Sequence, residues 1–161
     1  MPLIVYRLSL FFYKLAIGIA APFHQKAKLA LSGRKGLLNK IRSDLKGSKD
    51  PIIWFHCASL GEFEQGRPII EKCKSEYTDH KILLTFFSPS GYEVRKSYDG
   101  ADYIYYLPWD TKKNAESFLQ IIKPQLAIFV KYEFWYFYLK TLTELNIPVL
   151  SVSSIFRSDQ I

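Results

Sequence analysis

Acidic residues are almost missing from the first 49 positions of this 161-residue chain, where Asp44 stands alone. The same stretch holds Arg7 and Lys14, then eight further basic residues between positions 25 and 49. From residue 50 onward twelve basic residues face fourteen acidic ones, so the formal charge of +7 is an N-terminal property. Cysteine is scarce too. Cys57 and Cys73 have no metal-ligand spacing, which suits a reducing compartment and two buried small hydrophobes. There is no internal repeat and no low-complexity tract, and no G-x-G-x-x-G dinucleotide fingerprint follows the first strand. With 48% hydrophobic residues, wholesale disorder is excluded and one compact domain plus an extra segment fits the length.

The basic block could attract nucleic acid or anionic lipid, and what precedes it decides between them. Residues 3–22 are largely apolar and form a helix of roughly 30 Å. Arg7 and Lys14 interrupt the run, each costing about 2.5–3.5 kcal/mol at a bilayer centre. They lie seven apart, on one helical face, from which they can snorkel together. Residues 1–24 therefore read as a membrane-anchoring helix, embedded in one leaflet rather than fully spanning. Residues 25–50 read as a basic membrane-proximal helix and linker that keeps the domain at 51–161 on the cytoplasmic side. A signal peptide ending near Gly18-Ile19-Ala20, or a soluble helix packed on the domain, are the competing readings. No nucleic-acid motif accompanies the charge.

After Gly47-Ser48-Lys49-Asp50-Pro51 the pattern alternates. Apolar runs at 51–57, 81–87, 103–107, 125–130 and 148–153 read as strands. Helical stretches at 62–77, 89–98, 111–122 and 133–145 separate them. Strands alternating with helices predict an α/β fold, a Rossmann-like parallel sheet of about five strands. Its ligand site belongs at the carboxyl ends of those strands.

Four strand ends carry polar residues suited to chemistry. After the first, Gly61 permits a tight turn from Ser59, and Glu62 enters the first turn of a helix, where the dipole favours its ionised form. An ionised carboxylate there can accept a proton. The same spacing, Ser59 with Glu62 three residues on, is an ordinary capping box. After the second, Ser88, Ser90 and Gly91 offer hydroxyls and backbone N–H groups to an anion or sugar, or simply cap a helix with Pro89 at its start. Asp110 ends the third strand as a cap for the helix that follows. The fourth ends in Lys131, Glu133 and Trp135: a phosphate-pairing cation, an acid and a sugar-stacking ring, or a packed helix start with a solvated Lys131–Glu133 pair. His56, inside the first strand, reads as a core histidine.

Taken in order, W-F-H-C-A-S-L-G-E-F (54–63), T-F-F-S-P-S-G-Y (85–92), Y-L-P-W-D (106–110) and K-Y-E-F-W (131–135) closely resemble the N-terminal domain of Kdo (3-deoxy-D-manno-octulosonic acid) transferases. Ser32-Gly33-Arg34-Lys35-Gly36 is similar to that family's G-R-K segment. The resemblance covers nearly the whole chain. It implies the N-terminal half of a GT-B glycosyltransferase, with two Rossmann-like domains facing across a cleft. The activity implied is inverting, metal-independent transfer of Kdo from CMP-Kdo to a lipid A precursor in lipopolysaccharide synthesis. No cofactor is implied beyond the donor substrate.

Glu62 matches the family's proposed catalytic base, and Glu133 a second acid of its site. Ser59, Gly61, Ser88, Ser90, Gly91, Lys131 and Arg34 are the acceptor-side candidates. Partners implied are the lipid A precursor, CMP-Kdo and anionic lipids of the bacterial inner membrane, at its cytoplasmic face, with Arg34, Lys35, Lys40 and Arg42 drawing the acceptor's phosphates. At residues 153–161 the family would continue into a donor-binding domain, so the chain alone is expected to transfer little or no sugar. Another membrane-associated glycosyltransferase half, or a non-catalytic flavodoxin-like module binding an anionic ligand, are the alternatives.

Overall fold

The computed structural model describes residues 2–154. Three helices come first: α1 (Pro2–Ala20), α2 (Gln25–Ser32) and α3 (Leu37–Asp44). Strands and helices then alternate as β1 (Ile52–Cys57), α4 (Leu60–Glu76), β2 (Lys81–Phe86), α5 (Pro89–Arg95), β3 (Tyr103–Tyr106), α6 (Lys112–Ile122), β4 (Leu126–Val130), α7 (Tyr136–Glu144) and β5 (Val149–Val152). All neighbouring strands pair in parallel, in the order β3-β2-β1-β4-β5. Segment 155–161, where continuation into a second domain is read, lies outside the described residues.

Every residue of β1 is buried, as a central strand covered on both faces requires. Its alternate side chains enter two cores. On one face Trp54 meets Leu83, Phe118, Phe129 and Tyr138 beneath α3, α6 and α7. On the other, Ile53, Phe55 and Cys57 meet Phe63, Ile70, Leu84 and Phe86 beneath α4 and α5. Trp54 is the hub of the first core, edge-on to Phe118 and Phe129 with ring centroids 5.2 Å away in each case.

The basic stretch is two helices, not one. Gly36 takes a left-handed φ of 67° before α3, a conformation glycine adopts without steric cost. Arg34 accounts for the corner. Its guanidinium donates to Ala30 O (2.9 Å), Phe87 O (2.7 Å) and Leu107 O (2.8 Å), and lies 4.3 Å from the Trp109 ring centroid. It also stacks on Phe87 and Tyr106, each at 4.9 Å. Burial lowers its pKa to about 10, still well above neutrality.

By length and composition Leu3–Ala20 could cross a membrane. Ile4, Val5, Leu8, Phe11, Phe12, Leu15 and Ile19 are 48–66% exposed. The opposite stripe rests on the domain: Tyr6 donates to Asp110, and Tyr13 stacks on Phe87 and meets Trp109 edge-on. Tyr6 and Tyr13 are seven residues apart, so α1 lies along the domain for two turns instead of projecting from it. Arg7 and Lys14 do share a face. Rather than reaching outward together, they sit over the Phe137 and Trp109 rings at 5.4 and 5.7 Å.

Asp110 does not cap α6, whose N-cap is Thr111, accepting from Asn114 N at 3.3 Å. Its buried carboxylate instead accepts from Phe137 N (3.1 Å) and Tyr138 N (3.2 Å). These are free N–H groups of the first turn of α7, whose own N-cap residue, Trp135, supplies no side-chain acceptor. One carboxylate thus ties α1, the β3 end and α7 together.

Candidate active site at the strand ends

With order β3-β2-β1-β4-β5, the chain leaves β1 toward one edge and β4 toward the other. The crevice at the carboxyl ends of β1 and β4 is the switch point at which such sheets bind ligands. The turns opening it are Ala58–Glu62 and Lys131–Trp135. Ser88, after β2, joins the first of them through its N–H to Ala58 O at 2.7 Å.

Helix α4 begins at Leu60, two residues before the sequence pattern suggests, with Ser59 as N-cap. The capping box forms, and the Ser59 N–H donates to Glu62 Oε2 at 3.0 Å. A carboxylate can accept about four hydrogen bonds, so the box orients Glu62 without exhausting it. Burial lifts the Glu62 pKa above the ordinary carboxylate range, and the Glu133 charge lifts it further. N–H groups of Ser59 and Ala58, and His56, pull the other way. The expectation that a helix start leaves this acid unraised is overturned, because desolvation and a like charge outweigh the dipole. A raised carboxylate is a better proton acceptor near neutrality.

Glu133 belongs to the turn before α7, since that helix begins only at Tyr136. Its side chain is 15% exposed and approaches His56 Nε2 at 3.4 Å. Trp135 Nε1 donates to Glu133 Oε2 at 2.8 Å and lies 3.1 Å from His56 Nε2. The solvated Lys131–Glu133 pair is not formed; no carboxylate lies within 4.0 Å of Lys131 Nζ among the described residues. Lys131 has a left-handed φ of 64°, uncommon outside glycine and frequent at functional sites. Its backbone is held by β5 and the turn beyond, through Lys131 N to Val152 O (2.8 Å) and Ser154 Oγ to Lys131 O (2.8 Å).

His56 is fully buried, as a core histidine should be, yet it touches the site. Thr85 Oγ1 accepts from Trp54 Nε1 at 2.8 Å and donates to Phe55 O at 3.3 Å. The same hydroxyl lies 2.9 Å from His56 Nδ1, which ties the imidazole into this buried group. Its other nitrogen, Nε2, faces both the Trp135 indole N–H and the Glu133 carboxylate. The signal in the sequence was position: a polar residue one place before the end of the central strand. Cys57, next along, is pushed up by burial and by the charges of Glu62 and Glu133, an inert thiol.

The remaining candidates divide. Ser88 caps α5, accepting from Ser90 N at 3.2 Å, and the two hydroxyls are 3.0 Å apart. Gly91 is buried, and a Cβ there would sit 2.3 Å from Phe86 Cδ1, so it makes room for packing. Gly61 is exposed in ordinary helical backbone, and a Cβ would meet nothing within 4 Å. The turn itself does not need that glycine. Trp135 has one face against Phe87, with centroids 4.5 Å apart. Arg34, with three carbonyl bonds and three ring contacts, is a bolt between α2 and the strand ends.

The sequence profile of 3-deoxy-D-manno-octulosonic-acid transferases matches residues 30–161. The transferase of that name from Aquifex aeolicus is 39% identical over 95 residues, which is 58% of this chain and 26% of that protein. The Haemophilus influenzae one is 31% identical over 97 residues, 60% of this chain and 23% of that protein. A bifunctional glycosyltransferase/methyltransferase of Fusobacterium nucleatum is 31% identical over 144 residues, 87% of this chain and 22% of that protein. The chain thus spans about a quarter of the length of these relatives. It belongs to the Kdo transferase family, and its five-stranded unit is the N-terminal glycosyltransferase domain of that family.

Proposed function

We propose that the chain is the acceptor-binding half of an enzyme that moves Kdo from CMP-Kdo to a lipid A precursor, with Glu62 as the general base. The observation carrying this reading is the pair Glu62 and Glu133 at the β1 and β4 ends, the first raised partly by the second. In the proposed step Glu62 takes the proton of the acceptor hydroxyl as its oxygen attacks the anomeric carbon of the donor. The new C–O bond forms with inversion, and the bond to CMP breaks with its electron pair leaving on the phosphate. No metal is needed for this route. Glu133, held by Trp135, organises the acceptor side, and Lys131 supplies a cation for an acceptor phosphate. Ser59, Ser88 and Ser90 contribute polar groups at the rim, and Gly61 leaves the approach open. Donor binding falls to a second domain.

The exposed apolar side of α1 supports placing the domain at the cytoplasmic face of the inner membrane, where the acceptor's acyl chains remain embedded. Lys35, in the turn between α2 and α3, and Lys40 and Arg42 on α3 are exposed and favour anionic lipid there.

The test is transfer from CMP-Kdo to a tetra-acylated lipid A precursor by the full-length parent protein, native against Glu62→Gln. A loss of about 10²-fold or more, with folding and membrane binding intact, is expected for a general base. Unchanged transfer would reduce Glu62 to a helix cap. No transfer by either protein would point to another sugar or acceptor. The 161 residues alone are expected to transfer little.

A further inference from the structure

We propose that the cleft between α1 and the first turn of α6 is a binding site for the phosphate of an anionic phospholipid from the bilayer that α1 enters. The cleft has a volume of about 370 Å³, and Arg7, Lys14, Lys112 and Lys113 line it over an apolar floor that includes Phe11 and Phe137. These cations come from two segments about a hundred residues apart, so the cluster is a product of folding and not of the basic block at 25–49.

The local charge is poorly compensated. Asp110 is the single acid beside these four cations in the lining, and its carboxylate is turned to Tyr6 and to the N–H groups of Phe137 and Tyr138, so it offsets one positive charge and leaves an excess. Lys112 pairs with Glu116 at 3.7 Å, an exposed contact worth little. Among the described residues no carboxylate lies within 4.0 Å of the side-chain nitrogens of Arg7, Lys14 or Lys113. Arg7 and Lys14 instead hold positions over aromatic rings, which fixes both heads without neutralising them.

The apolar neighbours indicate a lipid as the source of the anion. Phe11 lines the cleft and is 60% exposed, continuous with the uncovered side of α1 that carries Leu8, Phe12 and Leu15. A phosphate in the cleft therefore has a path for its acyl chains along the helix, at headgroup depth. The cleft shares no lining residue with the turns bearing Glu62 and Glu133, so a lipid there leaves the acceptor crevice open. The proposal rests on the membrane reading of α1 given above.

The experiment titrates the full chain, in zwitterionic detergent, with dihexanoyl phosphatidylglycerol or dihexanoyl phosphatidylcholine, following tryptophan fluorescence. Trp109, under Lys14, is the reporter. Saturable binding of the glycerol lipid, weakened about 20-fold or more by Arg7→Gln with Lys113→Gln, is expected from about 5-fold per cation. Lys26→Gln with Lys28→Gln removes the same charge from exposed positions of α2 and should change binding about 2-fold or less. Equal binding of the choline lipid, or equal loss in the two double variants, overturns the site in favour of diffuse attraction. If Arg7→Gln with Lys113→Gln instead raises the acceptor KM of the full-length parent in lipid-free detergent, the cleft is an acceptor subsite and the proposal is overturned. Thermal unfolding of each variant separates site loss from misfolding. Failure of the native chain to partition onto any vesicle would refute the membrane reading itself, a different result from loss of lipid selectivity.

Discussion

Replacing Arg34 by lysine keeps the charge and removes the fork, which separates a phosphate contact from a bolt. The native guanidinium donates to Ala30 O, Phe87 O and Leu107 O, which belong to α2 and to the turns after β2 and β3. A charged donor contributes about 1.5–3 kcal/mol per hydrogen bond. An ammonium lacks the planar geometry to serve three divergent carbonyls and retains one. Losing two bonds destabilises by about 4 kcal/mol, and at about 2–4 °C per kcal/mol for a chain of this size the midpoint falls by about 8–16 °C. The assay is thermal unfolding of the full chain in detergent by circular dichroism. Lys35→Gln, an exposed neighbour, serves as control and should stay within about 0.5 kcal/mol. Arg34→Lys unfolding within about 2 °C of the native chain, with a raised acceptor KM in the full-length parent, would refute the bolt and restore a phosphate role.

Glu133→Gln keeps an acceptor for Trp135 and removes the charge that raises Glu62, so the acid limb of the kcat/KM profile should move to lower pH. The sign follows because the base must be ionised and its pKa falls when a neighbouring negative charge is lost; an unmoved limb would uncouple the pair. Thr85→Val strips the hydroxyl that Trp54 Nε1 and His56 Nδ1 share, both buried, and should destabilise by about 2–4 kcal/mol in denaturant titration. Gly61→Ala meets no atom within 4 Å and stabilises the first turn of α4 by about 0.4–1 kcal/mol. It should nonetheless raise the acceptor KM if substrate passes close to that backbone; an unaltered KM would remove Gly61 from the site.

The five strands were legible because each is a short apolar run bounded by turn residues, and β1 is buried on both faces. The placement of Glu62 and Glu133 was legible for a related reason: both immediately follow strands, and strand ends converge in a parallel sheet. What escaped was long-range. Asp110 looked like a local cap because sequence shows its neighbours, but its donors are 27 and 28 residues away. Arg34 sat in a cationic block that read as drawing lipid and acceptor phosphates, and only folding brings Phe87, Tyr106 and Trp109 around it. His56 was rightly placed in the core, yet its contact with Trp135 joins residues 79 apart. The raised pKa of Glu62 depends on burial and on a partner across the crevice, neither of which local spacing encodes.

The link between Tyr6 and Asp110 spans 104 residues, and the same carboxylate waits for donors at Phe137 and Tyr138. A ribosome adds about 5–20 residues per second, so α1 emerges on the order of ten seconds before its full docking surface exists. Throughout that interval the side of α1 that later rests on the domain is uncovered, as its outer apolar side remains afterwards. On the membrane reading, α1 reaches lipid first and the domain is assembled onto a helix already held there, so that the strand-end crevice matures beside the surface it serves.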